Sequence, residues 1–284
     1  MNTIKLVECP RDAMQGWAHF IPTQKKIDYI NALLKVGFDT IDFGSFVSPK
    51  AIPQMADTAE VVKHLEVATS RSKLLAIVAN ERGAADAVSY DAISYLGFPF
   101  SVSETFQKRN TNSTIQESLG RVEEIQNLCV KNKKTLVVYI SMGFGNPYGD
   151  AYNEGIVFNW VKKLVEMDIS IISLADTVGL ATAQQVSSIT RHLVDHLPGT
   201  EIGVHLHSTA INWQEKAAAA LQAGCTRFDG ALKGIGGCPM AGDDLVGNMD
   251  TELMIPYFEA SHYNTGVDHA ALQQASRLAA GIFI

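Results

Sequence analysis

EIGVHLH, residues 201–207, reads as a short apolar strand that closes on two histidines. Side chains alternate along a strand, so His205 and His207 face one side, about 6–7 Å apart. Seven other runs share this build: IKLVEC (4–9), DTIDFG (39–44), KLLAIV (73–78), AISYLG (92–97), TLVVYI (135–140), ISIISLAD (169–176) and RFDGALKG (227–234). Helical stretches separate most of them. TQKKIDYINALLKVG sets Ile27, Ile30, Leu33 and Leu34 on one face and stops at Gly37. Thr114-Ile-Gln-Glu117 is a capping-box pattern opening a helix that runs to about Lys131. The alanine-rich stretch from Trp213 to Ala223 is helical and ends at Gly224. Apolar strands alternating with helices imply a parallel sheet. Eight such units predict a closed (β/α)8 TIM barrel, one domain over residues 1–284 with a short C-terminal helical extension. An open doubly wound sheet is the alternative, but no G-x-G-x-x-G follows the first run.

Polar residues fall where a barrel active site needs them, at the C-terminal ends of the strands. Arg11 and Asp12 follow the first run, Asp42 nearly ends the second, and Asn80 and Glu104 follow the third and fourth. Ser141 follows the fifth, Asp176 closes the sixth, His205 and His207 close the seventh, and Cys238 lies after the eighth.

Composition narrows the function. The chain has 284 residues, 46% of them hydrophobic, enough for one large core. Its formal charge of −7 excludes a broad basic face for nucleic acid. No apolar run is long enough for a membrane span or a secretory signal. None of the four cysteines forms a C-x-x-C pair, so free thiols in a reducing cytoplasm are expected. Cys9, Cys129 and Cys225 read as buried small hydrophobes.

Two imidazoles on one strand face, with oxygen donors from Asp12 and Asn248, suit one divalent cation. The mixed N/O set favours Mg²⁺ or Mn²⁺, with Zn²⁺ possible, and leaves positions for a substrate. Arg11 is either half of a surface ion pair or a fixed cation for a developing oxyanion. Asp42, flanked by Ile41 and Phe43, is a general base or the partner of Arg11. Asp176 either orients a ligand or caps the next helix. Cys238, in GIGGCPMAG (234–242), is an inert thiol in a turn or an acid/base on a closing lid. The loops Ser45–Lys50 and Phe106–Asn110 are polar or basic. Ser45, Lys50, Lys108 and Arg109, with Ser173 on the sixth run, are the candidates to hold a phosphorylated carrier.

VECPRDAMQ (7–15), SFVSPKAIPQM (45–55), SLADTVG (173–179), VHLHST (204–209), GIGGCPMAG and GNMDTE (247–252) together resemble the hydroxymethylglutaryl-CoA lyase family, over almost the whole chain. The resemblance implies a (β/α)8 barrel that cleaves hydroxymethylglutaryl-CoA to acetyl-CoA and acetoacetate. It implies that Asp12, His205, His207 and Asn248 hold the cation, that Arg11 sits by the thioester carbonyl and that Cys238 is the catalytic thiol of a flexible loop. Asp42 and Asp176 stand at family acidic positions, and Glu252 at that of a supporting acid. The expected partners are an acyl-CoA thioester and a second copy of the chain, with neither nucleic acid nor membrane. The chain departs from the family pattern at Cys9, Ala13 and Ala175, where glycines are usual, and at Asp42, where a glutamate is. The stretch from Cys238 to Asn248 is one residue longer, so a related 3-hydroxyacyl-CoA is an alternative substrate. A condensing transferase of the same barrel group would usually carry a further C-terminal region. Metal-dependent barrel hydrolases place H-x-H early in the chain, not on the seventh strand.

Overall fold

All eight apolar runs become strands in the computed structural model, which describes residues 2–237 and 246–284. They are β1 (Lys5–Glu8), β2 (Thr40–Ser45), β3 (Lys73–Ile77), β4 (Ile93–Ser101), β5 (Thr135–Ser141), β6 (Ile171–Ala175), β7 (Glu201–His205) and β8 (Arg227–Gly230). Each pairs in parallel with the next, and β8 returns to β1, with Val7 opposite Asp229, so the barrel closes. Around it lie α1 (Pro10–Gln15), α2 (Thr23–Val36), α3 (Thr58–Lys63), α4 (Glu81–Val88), α5 (Glu104–Thr111), α6 (Ile115–Lys131), α7 (Glu154–Val165), α8 (Ala183–His196), α9 (Trp213–Gln222), α10 (Thr251–Ala260) and α11 (His269–Ile282). The predicted helix signals operate. Gly37 ends α2 in the left-handed region, and Thr114 and Glu117 cap α6 reciprocally.

Alternation along the strands sorts two cores. Outward residues of the strands pack against the helices in one large apolar shell. Inward residues Leu75, Tyr95, Val137, Tyr139 and Ile171 fill the barrel. Its floor is polar. Arg227 is buried and reaches Asp39, Glu201 and Thr40. Its stem lies on Gly203, where a Cβ would come within 3.1 Å of it, so a larger residue there would make the buried arginine shift by a few tenths of an ångström.

Three expectations shift. β7 stops at His205, and His207 continues it only as an isolated antiparallel bridge to Asn248. The eighth run leaves the sheet after Gly230, because the 3-10 turn Leu232–Gly234 puts Lys233 at φ 68. Arg11 and Asp12 do pair, but not at the surface: both are buried on α1, which Pro10 opens with the φ a first helical residue needs. The C-terminal extension is α11. It packs on α2, and the next residue, Phe283, meets Trp17 edge-on at 5.3 Å beneath α1.

Candidate active site

A cavity of about 530 Å³ opens at the C-terminal ends of the strands. Arg11, Asp12, Tyr139, Thr177, His205 and His207 are among its lining residues, with Val47, Ile52, Ile77, Pro99 and Phe106 as apolar walls. Among the described residues, a second cavity of about 420 Å³ beside Gly37 and Arg71 holds none of the candidate residues.

Asp12, His205 and His207 bring one donor atom each to within 4.8 Å of one another. Asp12 Oδ1 accepts from Arg11 and Gln15, and Oδ2 accepts from Asn248 Nδ2 at 2.7 Å. Burial alone would raise the Asp12 carboxyl, but Arg11, His205 and His207 hold it well below the usual range. Burial, with His205 beside it, lowers His207 to about 4, so its imidazole is neutral at pH 7. Apart from a weak contact with the Thr177 backbone, neither His207 nitrogen has a hydrogen-bond partner among the described residues. A buried imidazole so little engaged suits a cation ligand, and the N/O donors around it fit a divalent ion. Asn248 meets this group through Nδ2. To serve as a ligand it must turn its Oδ1 inward. Gly236 lies against both residues. A Cβ there would sit 2.2 Å from Asn248 Nδ2 and 2.9 Å from Asp12 Oδ2, which only glycine avoids.

His205 is oriented from behind. Its Nδ1 meets Asp229 Oδ2 at 3.1 Å. Burial pulls the imidazole down, yet the bond to Asp229, its charge and that of Asp12 raise it overall. A carboxylate on one ring nitrogen leaves the other free to ligate.

Arg11 is held charged. Burial opposes the charge, and Asp42 and Asp12 more than offset it. Its Nε and Nη2 donate to the Asp42 carboxylate, and its Nη1 donates to Asp12 and Gln15. Of five N–H donors, one on Nη2 remains without a partner among the described residues. Both Asp42 oxygens are thus on Arg11, and Asp42 does not line the cavity, which suits the partner reading better than the base.

Asp176 neither caps α8, whose N-cap is Thr182, nor touches a histidine ring. Its Oδ2 accepts from Lys216 Nζ at 2.7 Å, and Lys216 also donates to the His207 carbonyl at 2.8 Å. Among the carrier candidates, only Arg109 lines the cavity, exposed at its mouth with its guanidinium 4.5 Å from the Tyr148 ring. Lys50 and Lys108 are exposed and lie off it. Ser45 is buried, accepting from Val47 N, and Ser173 is buried inside the barrel with a hydroxyl that has no partner among the described residues. Glu252 pairs with Lys233 and Ser276 away from the cavity. Cys238 lies outside the described residues.

A family model described as HMGL-like matches residues 4–279. The chain belongs to the HMGL-like family. It is 34% identical over 278 residues to the hydroxymethylglutaryl-CoA lyase YngG of Bacillus subtilis, which covers 97% of this chain and 91% of that protein. It is 34% identical over 273 residues to the cytoplasmic 3-hydroxy-3-methylglutaryl-CoA lyase of Rattus norvegicus, covering 96% and 79%. A solved HMG-CoA lyase from A. baumannii, in complex with coenzyme A and 3-methylmalate, superposes with a TM-score of 0.92 at 33% identity, covering 99% of this chain and 91% of that one.

Three residues of this HMGL-like site escape a reading of strand ends. Asp229 lies two positions after Arg227 on β8, so period two turns both inward. Lys216 precedes Ala219, Ala220 and Ala223 by three, four and seven residues, which puts it on the buried stripe of α9. Glu8, fully buried, clasps the loop after β8 at both ends: one carboxyl oxygen accepts from Leu232 N at 2.8 Å and the other is hydrogen-bonded with Thr251 Oγ1 at 2.6 Å.

Proposed function

We propose that this chain cleaves 3-hydroxy-3-methylglutaryl-CoA, or a close 3-hydroxyacyl-CoA, to acetyl-CoA and acetoacetate (or its homologue). Asp12, His205, His207 and Asn248 would hold Mg²⁺ or Mn²⁺. The observation that carries this reading is the group Asp12–His205–His207 at the base of the cavity, with His207 buried and little engaged, in a chain related to HMG-CoA lyases. Bound there, a divalent cation lowers the pKa of the substrate's C3 hydroxyl.

The C3 hydroxyl proton would pass to water in the open cavity, and the chain's own groups serve the carbon skeleton. Arg11, permanently charged, has one N–H left for the oxygen of the enolate that forms as the C2–C3 bond breaks. Asp42 and Gln15 fix the guanidinium, so it does not reorganise during the reaction. Cys238 is the proton donor we assign to the enolate carbon, since it follows Gly237, whose N–H lies 3.5 Å from Asp12 Oδ2. Arg109, at the mouth, suits an anionic group of coenzyme A. The same reading expects a homodimer and a cytoplasmic protein; no helix among the described residues is long and apolar enough to cross a membrane.

The test is acetyl-CoA release from a panel of 3-hydroxy-3-alkylglutaryl-CoA thioesters, before and after chelation. Activity is expected only with cation restored. A fully loaded protein that releases acetyl-CoA from none of them defeats the reading.

A further inference from the structure

Beneath the cation group lies a second set of donors. Cys9, His205 and Asp229 also bring one atom each to within 4.8 Å of one another. All three face the barrel interior. Cys9 follows β1 and is fully buried, and its thiol has one long contact, 3.7 Å to the Val7 carbonyl. Asp229 Oδ2 takes His205 Nδ1, but Oδ1 is buried with no partner among the described residues. Carboxylate oxygens in protein interiors are rarely left so. His205 lines the cavity, which gives an ion a way in.

Sulfur, imidazole and carboxylate, with a fourth place for water, make a donor set for zinc-type ions. Bond lengths of about 2.0–2.3 Å put tetrahedral ligand atoms roughly 3.3–3.6 Å apart. The 3.1 Å between His205 Nδ1 and Asp229 Oδ2 is already near that. Mg²⁺ prefers oxygen and has no use for the thiol.

We propose that Cys9, His205 and Asp229 form a second site, selective for thiophilic ions such as Zn²⁺ and Cd²⁺, that competes with the upper site for His205. On binding, the Cys9 thiol releases its proton to solvent and the thiolate takes the ion. His205 Nδ1 gives up its bond to Asp229 and ligates, so the ring proton moves to Nε2. A neutral imidazole has one ligating nitrogen, and Nε2–H can no longer serve the upper site. A soft ion below therefore silences the cation above. The competition rests on the function proposed above; the site does not.

The experiment adds Cd²⁺ alone to the metal-free full chain and follows ultraviolet thiolate-to-cadmium charge transfer. Wild type and Cys238→Ser are expected to show the band, and Cys9→Ser and Cys9→Ala to lack it while keeping the wild-type circular dichroism. The surface pair His192 and His196 contributes no sulfur band. A band that persists in both Cys9 variants, or vanishes in Cys238→Ser, overturns the site. A second arm titrates Zn²⁺ against Mg²⁺-supported turnover, where Cys9→Ala is expected to raise the inhibitory concentration at least tenfold. Unchanged inhibition with the band lost from Cys9→Ala overturns the competition alone. A chain inactive on every thioester leaves the absorbance result to decide the site.

Discussion

Lys216 and Asp176 form an ion pair of 2.7 Å with both side chains almost wholly out of solvent. The same ammonium holds the His207 carbonyl, so one α9 residue ties the loop after β6 to the end of β7. Lys216→Met leaves a buried carboxylate without its counter-ion. A loss of about 3–5 kcal/mol is expected in urea unfolding. Weaker Mn²⁺ binding should accompany it, because His207 loses its backbone anchor. Unchanged stability would mean that water reaches Asp176.

His207→Leu separates ligation from folding. The buried ring contributes only a weak contact with the Thr177 backbone, so the metal-free variant should be about as stable as the parent. Its Mn²⁺ affinity, measured by calorimetry, should fall at least tenfold. Parent-like affinity removes His207 from the cation site.

Arg11→Gln is expected to lower turnover by ~10²–10³-fold, the scale for losing one oxyanion donor. Arg11→Lys should not restore it, since an ammonium cannot span Asp42, Asp12 and Gln15 as the planar fork does. Near-normal kcat in either variant would make Arg11 a structural residue.

Glu8 ties stability to pH. Burial raises its carboxyl to about 8, against 4.5 in the open chain, with Thr251 and Leu232 pulling the other way. The folded state therefore holds the extra proton between those values. This stabilisation is present below pH 4.5 and is lost as pH rises through 8, on the order of 5 kcal/mol in all. Glu8→Gln keeps an acceptor for Leu232 N and gives Thr251 a donor. Its stability relative to the parent should grow between pH 5 and pH 9 in urea titrations. A constant difference would show that Glu8 is ionised throughout.

Much of this was legible in the sequence, and the exceptions share a cause. Period-two alternation marks β7 and the other strands, and glycine and capping residues mark helix ends, because those signals are local. Cys9 reads correctly as buried, but that reading carries no trace of its neighbours, His205 and Asp229, which only barrel closure supplies. Asp12 and Asn248 lie 236 residues apart and meet for the same reason. Asp176 has two local explanations in sequence, and the structure gives a third, since Lys216 arrives from another unit. The eighth run was read four residues too long, because apolar Ala231 and Leu232 hide the left-handed turn at Lys233.

The clasp made by Glu8 bears on how such an enzyme could diversify. Leu232 and Thr251 are both fixed to β1, and the bridge between Ala231 and Asp250 closes the loop on itself. Lengthening a segment whose ends are already pinned costs little, growing only with the logarithm of its length. The part of it between Gly237 and Gly247 can therefore be exchanged as a cassette while Gly237 and Asn248 keep their contacts with Asp12. Grafting the corresponding loop of a relative between Gly237 and Gly247 offers a route to altered acyl preference without redesigning the scaffold.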